Sequence, residues 1–449
     1  MKDMGGSQDA GLAGQIVAAL RAHGFQAFLV GGCVRDRLLG TEPKDYDVAT
    51  DALPADVLRL FPESQQVGAH FGVILVRRQA AEVEVATFRT DFSYRDGRRP
   101  ERVVFEKDPR QDAARRDFTI NALLMDPDTG QVLDFVGGRA DLAARLVRAI
   151  GDPALRFRED HLRMLRAVRL AASLGFEVEA DTLQAIRCEA AGIRSVAAER
   201  VRDELTRILT EGGARRGLEL LDASGLLVQV LPEASALQGV AQPPEFHPEG
   251  DVWIHTLMML DSMRSPSPEL AWGVLLHDVG KPSTFRVAER IRFDGHVELG
   301  AEMAASILGR LRLSHDQIRH IVALVAHHLR FKDAPKMRES TLKRFLRLER
   351  FEEHLELHRL DCLASHRQLE NYEYVKSKWE ELPPEQLKPP RLLTGDDLIQ
   401  EGYQAGKRFA AMLEAVEDAQ LEGRIGDREA ALALLRSLFG PPVSPHTGL

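Results

Sequence analysis

Between residues 15 and 140, short apolar runs alternate with turns bearing glycine or aspartate: AFLV at 27–30, FGVILV at 71–76 and VEVATF at 83–88. Such runs, rich in Val, Ile and Phe and bounded by turn formers, predict β-strands, and the short helical patterns between them predict a compact α/β unit. From about residue 141 the period changes. Leu, Ala, Arg and Glu recur every three or four residues, as in HLRMLRAVRLAASLGF and ERVRDELTRILTEGG, which predicts amphipathic helices. The Pro- and Glu-rich stretch LPEASALQGVAQPPEFHPEG (231–250) reads as a linker, and LPPEQLKPPRLLTG (382–395) sets off a last helical segment. The expected fold class is α+β, a small head with a mixed sheet followed by mainly helical parts, with boundaries at 15–140, 141–245, 246–372 and 373–449.

A chain of 449 residues exceeds what one hydrophobic core supports, which agrees with that division. Cys33, Cys188 and Cys362 lie far apart without CxxC spacing, so neither a disulfide framework nor a thiolate zinc site is expected. The N-terminal stretch has no basic run leading into an apolar one, and no window offers the roughly 18 apolar residues of a membrane span. A cytoplasmic protein without a membrane partner is expected. The net charge of −9 argues against general affinity for nucleic acid. Residues 141–216 change that locally, with 14 Arg and no Lys against 12 acidic residues, so an RNA-facing surface is conceivable there and a DNA partner is not expected.

The first chemical signal is FLVGGCVRDRLLGTEPKDYDVAT. It reads as strand, glycine turn, helix, acidic strand. A strand alternates its side chains, so Asp45 and Asp47 are expected on one face with Tyr46 on the other. Paired carboxylates repel unless cations sit between them, and such a pair suits one or two Mg²⁺ that neutralise triphosphate charge during in-line displacement. Gly31 and Gly32 let the backbone approach phosphate, with the following helix N-terminus favouring anions, and Arg35 can add a contact. Glu84 in VEVATFR has the alternation for a third carboxylate on a neighbouring strand. Solvated turn residues and an outward-facing edge Glu are the plain alternatives.

Glu159, Asp160 and Arg163 form an EDxxR pattern that on a helix shares one face, ordinarily an i,i+4 salt bridge. Chemistry offers a second role. A carboxylate accepts from the exocyclic amino group of C or A while an adjacent Arg donates to the ring acceptors, and U or G would set a carbonyl against the carboxylate.

With GGCVRDRLLGTEPKDYDVAT, VEVATFRTD, ARRDFTINAL and FREDHLRMLRAVRLAASLGF in order over about residues 20–215, the chain resembles the class II tRNA nucleotidyltransferase and bacterial poly(A) polymerase superfamily. The resemblance implies that Asp45 and Asp47 are catalytic metal ligands with Glu84 as the third carboxylate. It implies that Arg115, Arg116, Asp117 and Asn121 contact the sugar and triphosphate. Asp160 and Arg163 are the implied selectors of CTP and ATP, with Glu159 orienting and Arg166 as a further contact. The charged stretch TDFSYRDGRRPERVVFEKD (90–108) resembles the element that lets one pocket switch from C to A. Poly(A) polymerases carry a GRRFR-like stretch where this chain has VGAHFGVILV, which disfavours polyadenylation.

A second constellation follows: His255, His277-Asp278, His296, His327-His328 and Asp361. Imidazoles and carboxylates distributed in this way can ligate one or two divalent metals, and no cysteine competes. Residues 246–370 resemble the HD phosphohydrolase superfamily with its H…HD…D pattern. The match implies His255, His277, Asp278 and Asp361 as core ligands, His296 and His327 or His328 for a second metal, and Lys281 on phosphate. The ion is left open among Mn²⁺, Ni²⁺, Fe²⁺ and Mg²⁺. Implied with it is a phosphatase or cyclic phosphodiesterase activity, against the alternative of a structural remnant.

The expected protein is thus an Mg²⁺-dependent nucleotidyltransferase adding CMP, CMP and AMP from CTP and ATP to the 3′ end of tRNA. Its four parts are a catalytic head, a helical neck and body, an HD domain and a tail. Rivals are an A-adding, CC-adding or poly(A) enzyme, and a non-catalytic tRNA-binding protein with HD hydrolase activity. Homodimerisation is left open.

Overall fold

The computed structural model of the chain describes residues 5–66, 72–94, 100–245 and 247–442. These divide into two compact units, Met1–Ala236 with Ile307–Leu313, and Leu237–Ser306 with Ser314–Leu449.

In the first unit, the apolar runs become the sheet. Its strands are β1 (Ala27–Val30), β2 (Asp47–Thr50), β3 (Gln65–Gln66), β4 (Val73–Arg78), β5 (Ala81–Thr87), β8 (Leu124–Met125) and β9 (Val132–Leu133), while β6 (Arg89–Tyr94) and β7 (Pro100–Phe105) form a separate antiparallel ribbon. The order β3-β4-β5-β2-β1-β8-β9 is mixed, because β2 runs parallel to β5 and antiparallel to β1. In β5 the alternation of AEVEVAT buries Ala81, Val83, Val85 and Thr87 and turns Glu82 and Glu84 outward. Buried Ile16, Val17 and Leu20 of the helix Gly5–Ala22 belong to the element packed over β1 and β5.

Helices Pro153–Glu159, Leu162–Leu174, Ala180–Glu189, Ala198–Thr210 and Ala214–Ala223 complete this unit. Leu162–Leu174 packs against both Ala198–Thr210 and Ala214–Ala223. The last approach is so close that a Cβ on Gly213 (φ 71°) would strike the Ala172 carbonyl, so backbone conformation and space both require glycine there.

The second unit is helical. Val252–Ser262, Pro268–Leu276, His315–His327 and Phe351–Ala364 pack together, with Trp272 of the second helix fully buried, and a further cluster of Leu393, Leu398, Met412, Val416, Ala431 and Leu435 lies in the C-terminal helices. The stretch at 231–250, expected to be a linker, instead contributes buried Gln242 and the nearly buried side chain of Glu249, which face the histidine centre described below.

Candidate functional site

The head site is built where β1, β2 and β5 meet. The sequence pattern sets both aspartates on one strand; in the structure β2 begins at Asp47, and Asp45 lies in the bend before it. Pro43, without an N–H and with fixed φ, stands in the segment where a longer strand would need ladder donors. Tyr46 is buried on the other side, with the Arg37 guanidinium 5.6 Å from its ring. Glu84 is the register partner of Asp47 across the parallel β2–β5 pair, so the two carboxylates share a face. Burial first, then the charges of Glu84 and Asp45, raise the Asp47 pKa to about 6, against the opposing pull of Arg116.

Gly31 caps the helix Gly32–Leu38 with φ 82°, and a Cβ there would stand 3.5 Å from Asp47 Oδ2 and 3.7 Å from an Arg116 nitrogen. Any side chain would therefore occupy the hollow in front of the carboxylates. Arg116 and Arg115 are both clamped by Asp112, which is 1% exposed: Arg115 donates twice to Oδ1 at 2.6 and 2.9 Å, Arg116 twice to Oδ2 at 2.9 and 3.2 Å. Sequence reading passed over Asp112, although the DxxRR spacing, i to i+3 and i+4, was its signal. Arg35 donates to Asn121 Oδ1 at 2.8 Å, and Asp117 pairs with Arg166 at 2.6 Å. A cleft of about 500 Å³ gathers Gly32, Arg35, Asp45, Asp47, Asn121 and Arg166, and its far wall holds Arg169 and Arg207. Arg115, Arg116, Glu159, Asp160 and Arg163 are not part of that lining.

The EDxxR residues do not share one helix. Pro153–Glu159 ends at Glu159, Asp160 is extended (φ −152°, ψ 102°), and the next helix starts at Leu162. Asp160 Oδ1 accepts from the Leu162 N–H at 3.1 Å, a capping bond that breaks the helix there. The plain salt bridge exists, between Glu159 and Arg163 at 2.5 Å, while Asp160 is gripped by Arg200 at 2.7 and 3.2 Å. Arg200 was not foreseen, because it sits 40 residues away on Ala198–Thr210. Arg156 ties this corner to the arginine pair: it bonds Glu159 at 3.0 Å and the carbonyls of Ala114 and Arg115 at 2.9 and 3.4 Å.

The histidine centre lies in the second unit. His277 and Asp278 close the helix Pro268–Leu276, His255 sits on Val252–Ser262, His296 opens His296–Arg310, His328 follows His315–His327, and Asp361 sits on Phe351–Ala364. Around Asp278, 2% exposed, stand His277 Nε2 at 3.1 Å, Lys281 Nζ at 2.6 Å, His296 Nε2 at 3.7 Å and His328 Nε2 at 3.8 Å. Burial alone would favour the neutral acid; His277, Lys281 and His328 overcome it and hold Asp278 far below the usual carboxylate range. His255 Nε2 is 3.2 Å from Asp361, and its Nδ1 is 2.8 Å from Glu249, which together raise its pKa to about 9 despite burial. Ligand atoms lie within 4.8 Å of one another in three sets among the described residues: His255, His277 and Asp361; Asp278, His296 and His328; and His247, Glu249 and His255. His277 Nε2, His296 Nε2 and Asp278 Oδ1 are buried without a hydrogen-bond partner, which is what a cation between them would remedy. The donor set of imidazole and carboxylate fits a divalent metal. Of the two adjacent candidates, the structure brings His328 to this centre and turns His327 toward His354, with ring centroids 6.0 Å apart. Lys281, expected on phosphate, is spent on Asp278 and Gln242, the latter at 2.5 Å.

Three family models match: the poly A polymerase head domain over residues 27–148, the probable RNA and SrmB-binding site of polymerase A over 175–237, and the HD domain over 251–364. A CCA-adding enzyme of Bacillus pumilus is 32% identical over 423 residues, covering 93% of this chain and 94% of that protein. This chain belongs to the CCA-adding enzymes. Another member, from Geobacillus stearothermophilus, is 44% identical over 211 residues, 47% of this chain and 52% of its own length. A crystal structure of the Bacillus stearothermophilus CCA-adding enzyme in complex with CTP superimposes with a TM-score of 0.73 at 28% identity, over 96% of this chain and 97% of that one. The family therefore embraces both units, with a nucleotidyltransferase head and an HD domain. Among the described residues no helix is long and apolar enough to cross a membrane.

Proposed function

We propose that this chain adds C, C and A from CTP and ATP to the 3′ end of tRNA in the cytoplasm, with Mg²⁺ at the head. The observation that carries this reading is the register pair of Asp47 and Glu84, with Asp47, Asp45 and Gly32 lining the cleft and Gly31 against Asp47. When bound, a divalent cation supplies neutralisation of triphosphate charge and a more acidic 3′-hydroxyl. Asp45, Asp47 and Glu84 are the residues to hold it.

Arg116 is set by Asp112 beside Asp47, where a fork of donors can grip phosphate oxygens, with Arg115 braced alongside and Asp117 and Asn121 toward the sugar. Arg166, held by Asp117, and Arg35, bonded to Asn121, both line the cleft. Asp160 and Arg163 read the base: a carboxylate oxygen accepts the amino group of C or A, and the guanidinium donates beside it, with Glu159 orienting Arg163. In this division of labour 15–140 is the catalytic head, 141–245 the neck and body, 246–372 the HD domain and 373–449 the tail.

At the HD centre we assign His255, His277, Asp278, His296, His328 and Asp361 to one or two divalent ions, with phosphoester hydrolysis as a second activity. When bound, such an ion supplies a more acidic water. The cleft there, about 320 Å³, is also lined by Lys332 and His366, which can meet an anionic substrate.

The test is extension of tRNA transcripts ending before CCA, after C and after CC, with each nucleoside triphosphate alone and with CTP plus ATP. Addition of C, C and A that then stops is the expected result. Growth only from the CC end with ATP makes it an A-adding enzyme, arrest at CC a CC-adding one, and a long A tract a poly(A) polymerase. No extension of any transcript sinks the transferase reading.

A further inference from the structure

Four histidines face the HD centre, and three of them are held in the same way. His277, His296 and His328 each set Nδ1 against the main-chain carbonyl three residues back, Val274, Phe293 and Val325, at 2.8, 2.7 and 2.7 Å. A carbonyl can only accept, so the proton sits on Nδ1 and Nε2 carries the lone pair toward the centre.

His255 departs from this pattern. Its Nδ1 lies 2.8 Å from a carboxylate oxygen of Glu249, whose side chain is 4% exposed. The same oxygen accepts from Nδ1 of His247 at 2.8 Å, so Glu249 is braced from a second side. The His255 Nε2 lies 3.2 Å from Asp361, so without an ion the ring carries a proton on both nitrogens between the two carboxylates, and an ion that takes the Nε2 lone pair leaves the one remaining proton on Nδ1, toward Glu249. Glu249 stands two residues before the segment that matches the HD domain, within the stretch that composition marks as a linker.

We infer that Glu249, braced by His247, is the positioning residue for His255: its charge, 2.8 Å from Nδ1, holds the ring and keeps its proton on that side, by an ionic contact where His277, His296 and His328 have hydrogen bonds to main-chain carbonyls. The inference rests on the metal reading of this centre. A carboxylate behind an imidazole raises the basicity of its far nitrogen more than a neutral carbonyl does, so His255 becomes the strongest imidazole donor of the four. His247 and Glu249 then form an outer brace and not a third ion site.

The experiment is Mn²⁺ titration of the chelator-stripped full-length chain, reading affinity and number of ions bound, with tRNA extension at the head as the control for folding. Glu249→Leu should weaken Mn²⁺ binding about 10- to 100-fold at unchanged stoichiometry. Glu249→Gln, which keeps an oxygen acceptor in place without the charge, should recover only part of that loss. Wild-type affinity in Glu249→Leu overturns the inference; so does loss of one ion with the remaining affinity intact, which would make Glu249 a ligand. A wild-type chain that binds no Mn²⁺ fails at the metal reading itself. Should Glu249→Leu not fold, imidazole ¹⁵N shifts of the Zn²⁺-loaded wild-type chain decide: His255 must carry its proton on Nδ1, and a proton on Nε2 overturns the assignment.

Discussion

The head and the HD centre both gather charged groups that want a cation, yet they are built on opposite plans. The head sets carboxylates at the opening of a cleft, with Glu84 exposed and Asp47 pushed up to about 6 by partial burial and its acidic neighbours. Its arginines are balanced on Asp112 and Asp117, and Arg116 so held still lies beside Asp47. The HD centre sinks imidazoles into a helical core, with His255, His277 and His328 at 0, 1 and 2% exposure. There the ring orientations are preset by backbone carbonyls and Glu249. A site that must admit and release a metal–nucleotide pair on every cycle suits hard, accessible oxygen donors. A site that keeps its ion suits enclosed nitrogen donors with fixed tautomers.

The widest separation between the two plans should come from Asp47→Ala, which removes the central carboxylate of the head. Nucleotide addition is expected to fall on the order of a thousandfold, equivalent to about 4 kcal/mol of barrier, with Mn²⁺ binding at the HD centre unchanged. Addition within tenfold of wild type would remove Asp47 from the reacting centre. The reciprocal change, His277→Ala, should lower Mn²⁺ affinity by about 10- to 100-fold and leave tRNA extension within about twofold. If extension fell in parallel, the two units would not be separable.

A finer contrast concerns base choice. Arg200→Ala frees the Asp160 side chain, so a uracil carbonyl opposite it can be accommodated by rotation of the carboxylate. Preference for CTP over UTP, measured as the ratio of kcat/KM, should drop about tenfold, some 1.4 kcal/mol of discrimination. An unchanged ratio would make the Arg200 pair purely structural.

The smallest effect is in stability. Because folding raises the Asp47 pKa from its ordinary value to about 6, folding favours the neutral acid. That contribution is present in full below about pH 4 and is lost as pH rises through 6. In chelator, Asp47→Asn should therefore stabilise the chain by on the order of 1 kcal/mol at pH 8, after allowance for partial exposure, and by almost nothing at pH 4. Denaturant melts at the two pH values check this; equal effects at both would remove titration as the cause.

Legibility from sequence followed the range of the interactions. Alternation in AEVEVAT marked Glu84 as outward-facing, and the register then set it against Asp47. The i−3 carbonyls behind His277, His296 and His328 are also local, supplied by a helix C-terminus for His277 and His328 and by the turn before a helix for His296. What escaped was the partner from afar: Arg200 on Asp160, Arg156 on the Ala114 and Arg115 carbonyls, and Glu249 on His255 from a stretch that looked like connecting chain. Two expected elements, residues 67–71 of VGAHFGVILV and 95–99 of the charged loop, lie outside the described residues.

By itself the sequence determined which groups carry chemistry and the local periods that make strands and helices, because side-chain identity and i, i+2 or i, i+3 spacing are written along the chain. Only the tertiary structure decided which carboxylate answers which guanidinium and that His328 and not His327 faces the centre. Those choices depend on packing between segments tens of residues apart, and such pairings are settled by burial and by the need to satisfy each buried charge, which no local period encodes.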